Sequence, residues 1–125
     1  MNVVFDSNVW IAYLANDDSQ HEKACLLFEK FKAIVVPEYV ILEVATVLSQ
    51  KKDQKTAQSF VKMLRATEGL EILLAGSDLF FEFMDFYITQ PKNKLSFVDV
   101  SLLYLSSQGL KVVTFDRELE KFCKV

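Results

Sequence analysis

The sequence predicts an α/β fold, a three-layer α/β/α domain with a central parallel sheet of four to five strands, built as one domain over residues 1–125. Short continuous apolar runs, the mark of strands buried on both faces, alternate with longer amphipathic stretches. The chain is 51% hydrophobic and holds eleven Phe, enough apolar material for one sizeable core. No internal repeat, Gly/Ser linker or charge block divides it.

Taken in order, Asn2 to Phe5 reads as the first buried strand and Ala33 to Val36 as the second. Between them, Ser19-Gln20-His21-Glu22 has the pattern of a capping box ahead of an amphipathic run that ends near Lys32. Pro37 and Glu38 suit a helix start, and that helix carries Glu43 and runs to about Gln50. Lys52 to Thr67 is an amphipathic helix stopped before Gly69. Leu70 to Leu74 forms the third strand. Ser77 or Asp78 is placed to cap the next helix, which Pro91 ends or follows. Ser96 caps another, Gly109 ends it with a positive φ, and Lys111 to Phe115 is the fourth strand.

Composition narrows the function. A net charge of −3 argues against holding nucleic acid by bulk electrostatics alone, although a bound cation or a local patch changes the field a substrate meets. The N-terminus lacks the basic and apolar regions of a signal peptide, and no apolar stretch approaches the roughly 18 residues of a membrane span. Cys25 and Cys123 lack metal-ligand spacing and read as two reduced thiols of a cytoplasmic protein. With one His and no convincing nucleophile pair, triad chemistry is disfavoured.

Four carboxylates stand hard against apolar sequence. Asp6 follows Val3-Val4-Phe5 and Asp116 follows Val112-Val113-Thr114-Phe115. Glu43 interrupts Val40-Ile41-Leu42 and Val44-Ala45, and Asp99 lies between Phe97-Val98 and Val100. Such positions are expensive unless the acid caps a helix or binds a cation. Asp6 and Asp116 fall at carboxyl ends of strands, where open parallel sheets collect function. Asp99 falls in the first turn of a helix facing the same edge, and Glu43 about two turns into another. Two unit charges about 5 Å apart repel by roughly 3 kcal/mol at an effective dielectric near 20, so converging acids call for a hard divalent cation such as Mg²⁺ or Mn²⁺. The competing reading is helix capping, strongest for Asp99, because Ser96-Phe97-Val98-Asp99 is itself a capping-box pattern.

Val4-Phe5-Asp6-Ser7-Asn8-Val9, Leu42-Glu43-Val44-Ala45, Ser96-Phe97-Val98-Asp99 and Thr114-Phe115-Asp116-Arg117, in that order, resemble the motifs of PIN-domain ribonucleases. They look most like those of VapC-type toxins from toxin–antitoxin pairs. The resemblance implies a PIN-like fold and a Mg²⁺- or Mn²⁺-dependent endoribonuclease that leaves a 5′-phosphate and a 3′-hydroxyl. It implies Asp6 and Asp99 as metal ligands, with Glu43 and Asp116 completing the site or positioning the water. Ser7 would orient the first carboxylate, and Ser96 matches a small hydroxyl residue before the third motif. It also implies an RNA substrate, with transfer RNA a family expectation, and a cognate antitoxin; the homodimer is an expectation from the apolar helix described below. The family usually adds a last strand after the fourth motif, for which Phe122-Cys123-Lys124-Val125 leaves almost no room. Rival readings are a non-toxin nuclease of the same fold in RNA processing and a Mg²⁺-binding receiver-like module. The second is disfavoured by the lack of a paired acid beside the first strand and of a Lys after the last.

Outside these motifs, Lys51, Lys52, Lys55, Lys62 and Arg65 form the densest basic stretch, either a solvated helix face or a phosphate-contacting rim. Lys92 and Lys94 are similar candidates close to the third motif. Leu79 to Ile88 is apolar around almost the whole helix circumference, which requires central burial or marks an interface with a second copy or the antitoxin. His21 reads as a solvated surface residue, and Trp10 with Tyr13 as packing.

Overall fold

The computed structural model describes residues 2–123. The elements are β1 (Val3–Phe5), α1 (Ser7–Leu14), α2 (His21–Lys30), β2 (Ile34–Pro37), α3 (Glu38–Lys51), α4 (Gln54–Ala66), β3 (Leu70–Leu73), α5 (Gly76–Ile88), α6 (Phe97–Ser107), β4 (Lys111–Val113) and α7 (Arg117–Cys123). The four strands form one sheet in the order β3-β2-β1-β4, and every pairing is parallel. Right-handed crossovers put α1–α4 on one face and α5 and α6 on the other. The packing agrees: α1 meets α2 and α3, α3 meets α4, while α6 meets α5 and α7. This is the three-layer α/β/α arrangement that the alternation of apolar runs predicts. A last strand after α7 would involve residues 124 and 125, which lie outside the described residues.

Burial is deepest at the sheet centre. All three residues of β1 and Val36 of β2 are fully buried, whereas edge strand β3 has Glu71 and Ile72 exposed. Phe5 anchors an aromatic cluster, with Phe28 at 4.7 Å between ring centroids and Trp10 at 6.4 Å, and Trp10 in turn meets Phe60 at 5.6 Å. Tyr13 stacks on Phe28 at 3.9 Å. The packing role expected for Trp10 and Tyr13 is what the rings adopt, because stacking and edge contacts favour aromatic neighbours.

Several local expectations are corrected. Ser19 does not cap α2; the helix starts after Gln20, whose N–H donates to Asp18 Oδ1 at 2.8 Å, and no side chain caps it. Neither Ser77 nor Asp78 caps α5, which begins at Gly76 with φ +64°, while Glu38 Oε1 accepts from the Ala75 N–H at 2.7 Å. The basic stretch is not one helix face either. Lys51 ends α3, Lys52 is its C-cap, and Asp53 opens α4 by accepting from the Thr56 N–H at 2.7 Å. A charged Asp in front of Gln54 competes successfully for that N-terminus. Gly109 ends α6 as expected, with φ +100°, and Pro91 falls just beyond α5.

β4 stops at Val113, two residues short of the predicted Phe115. The cause is local. The Phe115 N–H donates to Asn8 Oδ1 instead of to a neighbouring strand, and the Thr114 hydroxyl donates to Asp6 Oδ2, so this stretch bonds side chains of the first motif. His21 is likewise more than a solvated residue. Its Nδ1 pairs with the Ala12 carbonyl at 2.8 Å, which makes that nitrogen the donor, and it ties α2 to α1.

Candidate functional site

In the order β3-β2-β1-β4, the chain leaves β1 toward one face, while β4 is reached from the other face. The crevice at the carboxyl ends of β1 and β4 is therefore a topological switch point, where α/β sheets place their sites. Asp6 follows β1 directly, and Asp116 lies three residues after β4. Asp99 is in the first turn of α6, and Glu43 is the sixth residue of α3; both helices begin at this edge. None of the four acids is exposed: Asp6 is 5% exposed and the other three are half-buried.

Asp6 is held on both sides. Its Oδ1 accepts from the Ser7 N–H at 2.7 Å, with the Ser7 hydroxyl farther off at 3.5 Å, so the orienting role expected of Ser7 falls mainly to its backbone. Its Oδ2 accepts from the Thr114 hydroxyl at 2.7 Å. Burial nevertheless pushes the Asp6 carboxyl above its ordinary range. The bonds from Thr114 and Ser7 oppose that shift, and the charges of Asp99 and Glu43 add to it. Asp99 and Glu43 are thus close enough for their fields to bear on Asp6. Tyr39, at the start of α3, feels the same carboxylate. Its phenol is pushed up to about 12 by burial, partly offset by Ser101, and the Asp6 charge raises it further. The buried Tyr39 hydroxyl has no hydrogen-bond partner among the described residues.

Asp116 joins by a different route. Its N–H donates to Thr114 Oγ1 at 3.0 Å, while its Oδ1 caps α7 by accepting from the Glu118 N–H at 2.9 Å. Asp99 completes the capping box: Ser96 Oγ accepts from the Asp99 N–H, and Asp99 Oδ2 accepts from the Ser96 N–H, both at 3.1 Å. Capping is therefore realised at Asp6, Asp99 and Asp116, and it occupies only part of each carboxylate. Asp99 Oδ1 and Asp116 Oδ2 stay outside these bonds.

Sequence reasoning missed two residues that hold the edge together. Thr114 and Asn8 were visible only as members of motifs. Asn8 Nδ2 donates to Thr114 Oγ1 at 3.2 Å, and Asn8 Oδ1 accepts from the Phe115 N–H at 3.1 Å. A threonine inside the apolar run before Asp116 was the available signal, since a buried hydroxyl needs a partner.

The donor chemistry suits a hard divalent cation: buried or half-buried carboxylate oxygens, with no Lys or Arg paired to any of the four acids among the described residues. As the side chains stand, no three His, Cys, Asp or Glu of the described residues gather closely enough to hold an ion. Asp99 and Glu43 nevertheless stand near enough for their charges to raise the Asp6 carboxyl.

The expected substrate lysines divide. Lys94 is exposed two residues before Ser96, at the acid edge. Lys51 is eight residues beyond Glu43 on α3, about 12 Å along the axis at 1.5 Å per residue. Lys52 Nζ is engaged with Asp17 Oδ1 at 2.7 Å, and Lys55 follows on α4. The structure does not gather Lys51, Lys52 and Lys55 at the acids.

The sequence pattern of the PIN domain family matches residues 3–125. No curated protein matches the chain. Among solved structures, VapC20 of Mycobacterium tuberculosis, described as a sarcin–ricin loop cleaving toxin, is similar in fold with a TM-score of 0.83. That match covers 95% of this chain and 93% of the other at 19% sequence identity.

Proposed function

This chain belongs to the PIN domain family, and we propose that it is a metal-dependent endoribonuclease acting as the toxin of a toxin–antitoxin pair. The observation that carries the reading is Asp6: a buried carboxylate at the switch point, raised in pKa, under the charges of Asp99 and Glu43, with no ion pair to a Lys or Arg among the described residues. A bound Mg²⁺ or Mn²⁺ would neutralise that charge, polarise a phosphate oxygen and acidify a water. Asp6 and Asp99 would hold the ion, with Glu43 and Asp116 completing the set or orienting the water. Thr114 fixes which Asp6 oxygen is presented, and Ser96 fixes Asp99. Lys94 stands where it can meet a phosphate of the bound strand.

RNA as substrate is supported by family membership and by the likeness to a toxin that cleaves the sarcin–ricin loop; that loop is the other protein's target, and the RNA cut here is a separate matter. A cytoplasmic location fits an RNA substrate, and no helix of the described residues is long and apolar enough to cross a membrane. The exposed face of α5, with Phe81 60% and Ile88 76% exposed, supports a homodimer or antitoxin contact.

Cleavage of labelled RNA tests the reading. Wild-type protein should cut in Mn²⁺ and stop in EDTA. Asp6→Asn and Asp99→Asn should lose more than the roughly 10–100-fold typical of changes outside the ligand set. Full cleavage by either variant, or in EDTA, would sink it. Growth arrest on expression, relieved by a co-expressed partner, separates a toxin from a processing nuclease.

A further inference from the structure

The acid edge needs cations of its own if a polyanion is to lie across it, and the chain supplies one that no sequence motif marks. Lys23, in the first turn of α2, sets its Nζ over the Phe115 ring at 5.4 Å from the centroid. Phe115 stands between Thr114 and Asp116, and its N–H donates to Asn8 Oδ1, so its backbone belongs to the network that holds Asp6. At the other end of α2, Phe31 meets Lys30 and Lys111, the first residue of β4. The helix therefore runs from the acid edge to the opposite edge of the sheet, and its Lys23 end is the one beside the acids.

Resting on the ribonuclease reading, we propose that Lys23 contacts a backbone phosphate of the RNA beside the scissile one, and that Phe115 is the positioning residue that keeps its ammonium at the rim. Three observations converge. Lys23 is exposed and makes no ion pair among the described residues, so its charge is available. The alternatives on the basic stretch are displaced or engaged: Lys51 sits at the far end of α3, and Lys52 holds Asp17. Finally, α2 and α6 lie in opposite layers, with Lys23 in the first turn of one and Lys94 two residues before the Ser96 cap of the other. A strand crossing the crevice would thus meet a cation on each side. Cation–π contact to Phe115 holds the ammonium without neutralising it, which a carboxylate partner would do.

The test is binding of a fluorescein-labelled single-stranded RNA in EDTA across a salt series, which needs neither metal nor cleavage. Lys23→Gln should lower the slope of log affinity against log salt by about 0.7, the value for one phosphate contact on a single strand. Lys23→Arg should keep the slope, Lys51→Gln should leave it unchanged, and Phe115→Leu should weaken binding less than Lys23→Gln. A wild-type slope and affinity in Lys23→Gln overturns the inference while leaving the ribonuclease reading intact. A loss that Lys23→Arg does not restore overturns the phosphate contact. Failure of the wild-type protein to bind RNA at any salt in EDTA overturns the Lys23 contact, while cleavage in Mn²⁺ judges the ribonuclease reading separately.

Discussion

The acid edge and the outer face of α5 both present side chains that a folding chain would ordinarily place elsewhere, and they handle the cost in opposite ways. At the acid edge, the chain answers its own misfits. Asp6, Thr114, Asn8 and the Asp116 backbone form a continuous run of hydrogen bonds, and Ser96 and Asp99 cap each other. What remains unanswered there is net charge. On α5, only Phe83 is buried, while Phe80, Phe81, Tyr87 and Ile88 stay between 43% and 76% exposed. Phe80 and Tyr87 stack on Phe97, and nothing in the described chain covers the outermost residues. The comparison teaches that local hydrogen bonding can hold a catalytic-type acid in place while leaving it chargeable. An apolar face has no such local remedy and waits for a partner surface.

The largest stability effect should separate the two halves of α5. Phe83→Ala removes a ring from the core against Tyr39 and Tyr104 and should cost about 3–5 kcal/mol in denaturant unfolding. At the acid edge, Thr114→Val strips Asp6 Oδ2 and the Asp116 N–H of a buried partner. It should cost about 1–3 kcal/mol and lower cleavage by roughly 10–100-fold. Equal cleavage by wild type and Thr114→Val would show that the network is structural only.

A pH effect comes next. The native state binds the Asp6 proton more tightly than the unfolded chain does, because burial raises its pKa. Stability contributed by this group is therefore lost as pH rises from about 3.9 through the raised native value. In EDTA, Asp6→Asn should match wild type near the acid end of that window and become the more stable protein toward neutrality. A constant difference across pH would contradict the assignment. The smallest stability effect belongs to the outer α5 face: Phe81→Ser with Ile88→Ser should shift unfolding by no more than about 0.5 kcal/mol. The same pair should abolish self-association or partner capture measured by light scattering.

The parallel sheet was legible because its strands are short apolar runs between amphipathic stretches, a pattern dictated by burial on both faces. The four acids were legible because charge next to such runs is anomalous. What escaped was set by contacts distant in sequence. Thr114 and Asn8 look ordinary until a separation of 106 residues closes between them. Lys23 has no mark in its own stretch, and its position emerges only when α2 is laid along β4 by way of Phe115. Lys51 and Lys52 looked like a rim because they are dense in sequence, yet the Asp53 cap breaks their helix. Local density misled there, since a one-residue cap outweighs continuity of charge.

In the ribonuclease reading, four acids, three of them used as caps, also make one metal site. Asp99 decides it, because its capping role is complete without any ion. Calorimetric titration of Mn²⁺ into wild-type, Asp6→Asn and Asp99→Asn proteins tests this directly. Wild type should take up Mn²⁺ stoichiometrically, and both variants should lose that uptake. Wild-type affinity in Asp99→Asn would mean that Asp99 is only the cap of α6, and would contradict that reading.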